Sequence, residues 1–183
     1  MRMDDAESVK GYDPQERQLA AELIERHYDD LLLVARRRRR RAKVGETMRT
    51  EDILHEGLLK LGIDSDFRGS AHVMGAATLA IRHVICDYAR SKLAAKRSAA
   101  RRDDSADVEL LPEYGETPEQ IVAIGDLMAR LDDAQPRWAR IADARYFMGL
   151  TEEETADLLG LSSRTVRRDW TAARSWLAER VGP

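Results

Sequence analysis

The chain is poor in residues that staple or span. Its 183 residues include one cysteine, Cys86, so no intramolecular disulfide and no cysteine-cluster metal site can form. Aromatic residues make up only 5% of the chain, and its apolar runs are a handful of residues long, too short to cross a membrane. The opening MRMDDAESVKGYD is acidic and lacks the apolar core of a secretory signal. A soluble, cytoplasmic protein is therefore expected. Sustained period-two alternation and β-branched runs are missing too, which argues against a sheet. No Walker A, GxGxxG, GxSxG or HExxH pattern occurs. The four histidines, His27, His55, His72 and His83, are scattered over the expected helices. No enzymatic activity, metal or cofactor is expected.

What is present is charge, arranged in blocks. Apolar residues are 43% of the chain, enough to bury a core, and charged residues 34%. The net charge of -3 conceals balances of -5 over residues 1–30, +10 over 31–102, -9 over 103–135 and +1 over 136–183. A basic block enclosed by acidic ones suggests a polyanionic partner, against the plainer alternative of a salt-bridged helical surface. The acidic segments 1–16 and 103–119 are expected to shield that basic surface in the free protein. Within the block, Arg36–Arg41 run consecutively round a helix and cannot form one binding face. At least two are expected to turn back along the apolar side, and the run as a whole to be a solvated helix end with long-range attraction for DNA.

Periodicity predicts helices throughout. Gln18–Lys43 reads as one long helix; Glu51 and Asp52 open a second, with Ile53, Leu54, Leu58 and Leu61 at helical spacing. A third, from Ala71 to Lys96, carries a wide apolar stripe. From Ser98 to Pro118 the chain has two prolines, a glycine, no helical stripe and a basic-to-acidic flip, and residues 98–117 read as a flexible linker. Helices follow over Glu119–Leu131 and Pro136–Met148. The expected organisation is all-α: an acidic tail (1–17), a helical domain (18–97), the linker (98–117) and a second helical domain (118–183). With no heptad seam, a monomer is expected.

The clearest local motif is a helix-turn-helix over 151–178. Thr151 with Glu154 forms a capping box, Gly160 suits a tight turn, and Ser162 or Ser163 can cap the next helix. In that helix Val166, Trp170, Ala173 and Leu177 form a buried face, leaving Arg164, Arg167, Arg168 and Arg174 outward. An arginine-bearing second helix fits the major groove of DNA. A stand-alone helix-turn-helix regulator would explain this half equally well. A protein-binding adaptor would instead leave the arginines idle.

Three segments in order resemble the bacterial sigma factors of the extracytoplasmic-function (ECF) group, sigma-70 family members with regions 2 and 4 only. TEDILHEGLLKL resembles region 2.2, FRGSAHVMGAATLAIRHVICDYARSKLAAKR regions 2.3 and 2.4, and DARYFMGLTEEETADLLGLSSRTVRRDWTAARSWLAER region 4. The resemblance implies a region 2 bundle and a region 4 helix-turn-helix, with core RNA polymerase (its β′ and β subunits) and promoter DNA as partners. It also admits an anti-sigma factor. By it, Glu51, Asp52 and Glu56 would dock on the polymerase. Arg68, Arg82, His83, Arg90, Lys92, Lys96 and Arg97 would bind the -10 element, with Phe67, His72 and Tyr88 as available rings. Ser163, Arg164, Thr165, Arg167, Arg168 and Arg174 would read the -35 element. The family places more aromatics in region 2.3 than this chain, which has Gly75, Ala76 and Ala77 there.

Overall fold

The 31-residue helix α4 (Ser70–Ala100) is the spine on which most other elements pack. The computed structural model describes residues 14–42, 48–61, 67, 69–100 and 116–181. Among them are eight α-helices, one π-helical turn and no strand, so the protein is all-α. Besides α4 these are α1 (Pro14–Arg26), α2 (Tyr28–Arg41), α3 (Thr50–Leu61), α5 (Pro118–Ala134), α6 (Pro136–Ala142), the π turn (Asp143–Met148), α7 (Glu152–Leu159) and α8 (Ser163–Val181). No helix among the described residues is long and apolar enough to cross a membrane. Residues 14–17, from the expected tail, form the first turn of α1, and α4 continues to Ala100. Residues 1–13 and 101–115, the rest of the tail and most of the linker, lie outside the described residues.

The expected single helix over Gln18–Lys43 is bent into two at His27, whose backbone leaves helical geometry (φ -105°, ψ 12°). The bend lets the two pieces bury different faces. Ala20 and Leu23 of α1 pack with Phe67 and Val73, whereas Leu31, Val34 and Ala35 of α2 join α3 and α4 in the main cluster. On α4, Val73, Ala77, Ile81, Val84 and Ile85 are at most 1% exposed. Each of these valines and isoleucines contributes about 1.5–3 kcal/mol by leaving water.

One face of α4 meets α2 and α3; another meets α5. Ile121, Ala144 and Met148 from the second half belong to the same buried cluster as Leu31, Ile53 and Ile85. A second cluster, Met128, Leu131, Ala139, Ala142, Phe147 and Ala173, lies inside the second half, with Trp138, Trp170 and Trp176 packed against it.

The arginine run ties the halves together, which corrects its reading as a solvated helix end. Arg38 is 2% exposed, and its guanidinium lies 4.3 Å from the centroid of the Phe147 ring. Arg82, 3% exposed, approaches the same ring at 5.6 Å. Arg38 Nη1 is 3.6 Å from Glu116 Oε2, and Arg82 Nε is 3.5 Å from Asp143 Oδ1. Arg41 pairs with Glu116 at 2.9 Å and stacks on Tyr146 at 4.0 Å, while Arg37 Nη1 donates to the Met148 carbonyl. Positions 37, 38 and 41 share one helix face, so three arginines of the run point at the second half. Arg39 Nε instead donates to the Met48 carbonyl at 2.7 Å.

Two predictions follow the seam between α4 and α5. A Cβ on Gly125 would stand 2.5 Å from Cys86 Sγ, which is buried against the Ile121 carbonyl. Helix propensity alone says Gly125→Ala stabilises by about 1 kcal/mol. Overpacking at the seam should reverse that sign, lowering stability by about 1–3 kcal/mol. In a Cys86→Ala background the loss should largely vanish, as read by denaturant unfolding. Second, burial pushes the Asp143 carboxyl from its ordinary 3.8 up to about 6, with Arg82 only partly opposing. A carboxyl raised in the fold adds stability below its unfolded pKa that is lost as pH rises through the folded one. The stability of the native chain relative to Asp143→Asn should therefore fall by about 2 kcal/mol between pH 4 and pH 7. A flat difference would mean Asp143 is not sequestered at the seam.

Candidate nucleic-acid interface

The helix-turn-helix is fixed at both ends by side chains the sequence supplies. Thr151 Oγ1 accepts from the Glu154 backbone N–H at 3.1 Å, and Glu154 Oε2 accepts from the Thr151 N–H at 2.7 Å, completing the capping box. Those hydrogen bonds hold the Glu154 carboxyl below the usual range. Gly160 sits in the left-handed region (φ 63°), where a side chain would be strained. The Leu161 N–H then returns to the Ala156 carbonyl at 2.9 Å. Of the two serines that could cap α8, Ser162 does so, accepting from the Thr165 N–H at 3.1 Å. Ser163 is the first helical residue. Ile141, Ala156 and Val166 lock α7 and α8 onto α6, with Leu159, Leu161 and Trp170 around them.

This anchoring leaves the arginine face outward. Arg164, Arg167, Arg168 and Arg174 are all exposed, and Thr165 is half-buried with its hydroxyl 2.9 Å from that of Ser162. Arg164, Thr165, Arg167 and Arg168 line a shallow surface concavity together with Thr171, a residue the sequence reasoning missed. It lies one turn beyond Arg167 on the same face, which was the available signal. Arg167 is paired with Glu152 at 2.8 Å, which raises its pKa, and Arg174 lies 5.9 Å from the Trp170 ring.

The first half is less uniform. On α3, Asp52 and Glu56 are exposed and Glu51 half-buried. Asp52 Oδ2 accepts from the Arg49 N–H at 3.0 Å, so it also caps its own helix. Glu56 is 3.8 Å from Lys60, which reaches Asp87 on α4 at 2.5 Å. Leu59 shares the face of Asp52 and Glu56 and is almost fully exposed, an apolar position left off the buried stripe.

On α4, His83, Arg90, Lys92, Lys96 and Arg97 are exposed. They do not form one track. At 100° per residue His83, Arg90 and Arg97 fall on one side, with Lys92 and Lys96 on the opposite side. Lys92 stands 5.4 Å from the Tyr88 ring, and Arg90 bridges Asp87 to Asp126 of α5, at 3.1 and 2.9 Å. Burial, then the Arg82 charge, pushes the His83 imidazole below its ordinary pKa, favouring the neutral ring. Phe67 is buried and meets His72 edge-on at 5.8 Å. Arg68 lies outside the described residues. Arg82 corrects the expected surface track: it is enclosed against Phe147 and Asp143, because it shares a helix face with Thr78, Ile85 and Ala89, all buried. Among the described residues no cluster of His, Cys, Asp or Glu could hold a metal ion.

No curated protein and no solved structure matches the chain. A family model described as ECF sigma factor matches residues 8–182, from before α1 to the end of α8. With that match spanning nearly the whole chain and a capped helix-turn-helix inside it, the chain belongs to the ECF sigma factors, a family of promoter-directed transcription.

Proposed function

We propose that the protein docks on core RNA polymerase through α3, binds the -10 promoter element through α4, and reads the -35 element through α8. The observation that carries the reading is the outward arginine face of α8, held by a buried opposite face and two caps. A major groove about 12 Å wide admits one helix, and arginine can take guanine O6 and N7 bidentately or a phosphate. The pairing of Arg167 with Glu152 is exposed and can be exchanged for DNA. On α3, the acidic groups Glu51, Asp52 and Glu56 suit a basic surface on the polymerase, and the adjacent Leu59 would add apolar contact. The polymerase supplies all the chemistry. Cytoplasmic location and control by an anti-sigma factor are carried over from the family resemblance.

Reading both elements at once requires the halves to part. Elements named -10 and -35 lie about 25 base pairs apart, or about 85 Å along straight duplex. The halves are packed against one another, and even the longest helix, α4, is only about 46 Å long. From Ala100 to Glu116 there are 16 peptide steps, which reach at most about 55 Å when extended. Separation by that route would also expose Arg82 and Arg38, adding two cations to the surface available for DNA.

The deciding experiment is transcription by bacterial core polymerase plus this protein on a library of genomic fragments, with transcript starts sequenced. Discrete protein-dependent starts sharing motifs near -35 and -10 are expected. Arg164→Ala with Arg167→Ala should weaken the -35 preference at least tenfold and leave core binding intact. Glu51→Lys with Glu56→Lys should weaken competition for core while sparing the fold, since neither residue caps α3. Core binding lost in the arginine variant, or unchanged in the acidic one, would count against these roles. Specific duplex binding without any protein-dependent start would point to a regulator acting without polymerase.

A further inference from the structure

Arg137 lies at the start of α6, outside the helix-turn-helix, and nothing in that motif marks it. The fold brings it to the recognition helix. Its Nε donates to Asp169 Oδ2 at 2.7 Å, while Arg168 Nε donates to Asp169 Oδ1 at 2.8 Å. The exposures are the reverse of a buried staple. The Asp169 side chain is 3% exposed, those of Arg137 and Arg168 54% and 69%.

A carboxylate has two oxygens and only accepts. Here each oxygen takes one arginine Nε, so a single buried anion orients two cations from two helices. Both guanidiniums keep their four Nη–H donors for a partner outside. The trio carries a net charge of +1 at the surface, and its planar guanidiniums are already oriented, which lowers the entropic cost of engaging a phosphate. A contact that served only to join α6 to α8 would need Arg137 alone, since Arg168 lies on the same helix as Asp169.

We propose that Arg137 is a DNA-contacting residue, gripping a backbone phosphate beside the groove that α8 enters, and that Asp169 is the positioning residue for both Arg137 and Arg168. Because Arg137 stands off the recognition helix, it contacts phosphate and carries no base preference. The inference rests on α8 being the DNA-reading helix, so its test includes a control for that reading.

The test uses holoenzyme assembled from full-length protein and core polymerase, titrated onto a promoter duplex recovered by the start mapping, over a series of salt concentrations. Arg137→Ala should weaken binding severalfold and reduce the slope of log K against log salt by about 0.9, the loss of one phosphate contact. Arg137→Lys should retain part of that slope and lose affinity, since one ammonium lacks the fork that serves carboxylate and phosphate together. Asp169→Asn separates positioning from bulk charge. It makes the protein more positive by one unit, so a role in charge balance alone predicts tighter binding, whereas positioning predicts binding several times weaker, read well below the variant's own melting temperature. If Arg167→Ala weakens binding but Arg137→Ala changes neither affinity nor slope, Arg137 only joins α6 to α8 and the inference is wrong. If Arg167→Ala is also silent, α8 does not read DNA, and both readings fall together. Tighter binding by Asp169→Asn would overturn the positioning role by itself.

Discussion

The Phe147 ring meets two guanidiniums, Arg38 from α2 and Arg82 from α4, and the seating of the second half on the first depends on that contact. It is specific without being deep. Cation–π attraction in a desolvated site is worth about 2 kcal/mol, and Phe147 adds its own buried area. Against this stand the charges: taking an ion out of water costs several kcal/mol after relaxation, and only well-made hydrogen bonds repay it. Among the described residues, Arg38 Nε and Nη1, Arg82 Nε, Glu116 Oε2 and Asp143 Oδ1 are buried without a hydrogen-bond partner. Burial accordingly depresses the Arg38 pKa and raises that of Asp143. The seam is thus selective for its own geometry yet carries an internal penalty that parting would relieve.

Parting need not dissolve either half. The helix-turn-helix keeps its own support in Ile141, Ala156 and Val166, its capping box and the Ser162 cap, all of them contacts made within the second half. Behind it, Leu131, Ala139 and Ala173 sit with three tryptophans in a cluster of the second half alone. On the other side, α2, α3 and α4 bury Leu31, Ile53 and Ile81 against one another. What would be lost is the α4–α5 seam at Cys86 and Ala89, the burial of Ile121, Ala144 and Met148 in the first half's cluster, and the π turn's grip on the arginines.

Local chemistry was legible in the sequence; long-range destinations were not. The Thr151–Glu154 capping box, the Gly160 turn and the buried stripe of α8 depend on residues three or four apart, and they fold as their spacing dictates. The bend at His27 also had a signal, because Asp29 and Asp30 suit the first turn of a new helix. Arg82 could have been placed by arithmetic, since positions 78, 82, 85 and 89 form one stripe otherwise made of Thr, Ile and Ala. The arginine run showed that some members must turn inward, but their partners Phe147 and Tyr146 lie over a hundred residues away, and no local pattern names them. The π turn that aims those rings, through its wider helical path, likewise has no periodicity of its own.

The charge blocks then acquire a second meaning. Glu116 and Asp126 come from the most acidic stretch, and they meet Arg38, Arg41 and Arg90 of the basic one. The chain is in this respect its own first polyanion. An arginine that pairs with Glu116 or Asp126 cannot grip a phosphate at the same time, so internal acid and external DNA compete for the same donors. That competition is uneven along the molecule: on the α8 face Arg167 pairs with half-buried Glu152 and Arg168 with Asp169, yet both guanidiniums stay exposed, whereas Arg38 and Arg82 are enclosed. Readiness to bind DNA should therefore be graded, with α8 accessible before the seam opens and the cations of α2 and α4 after it.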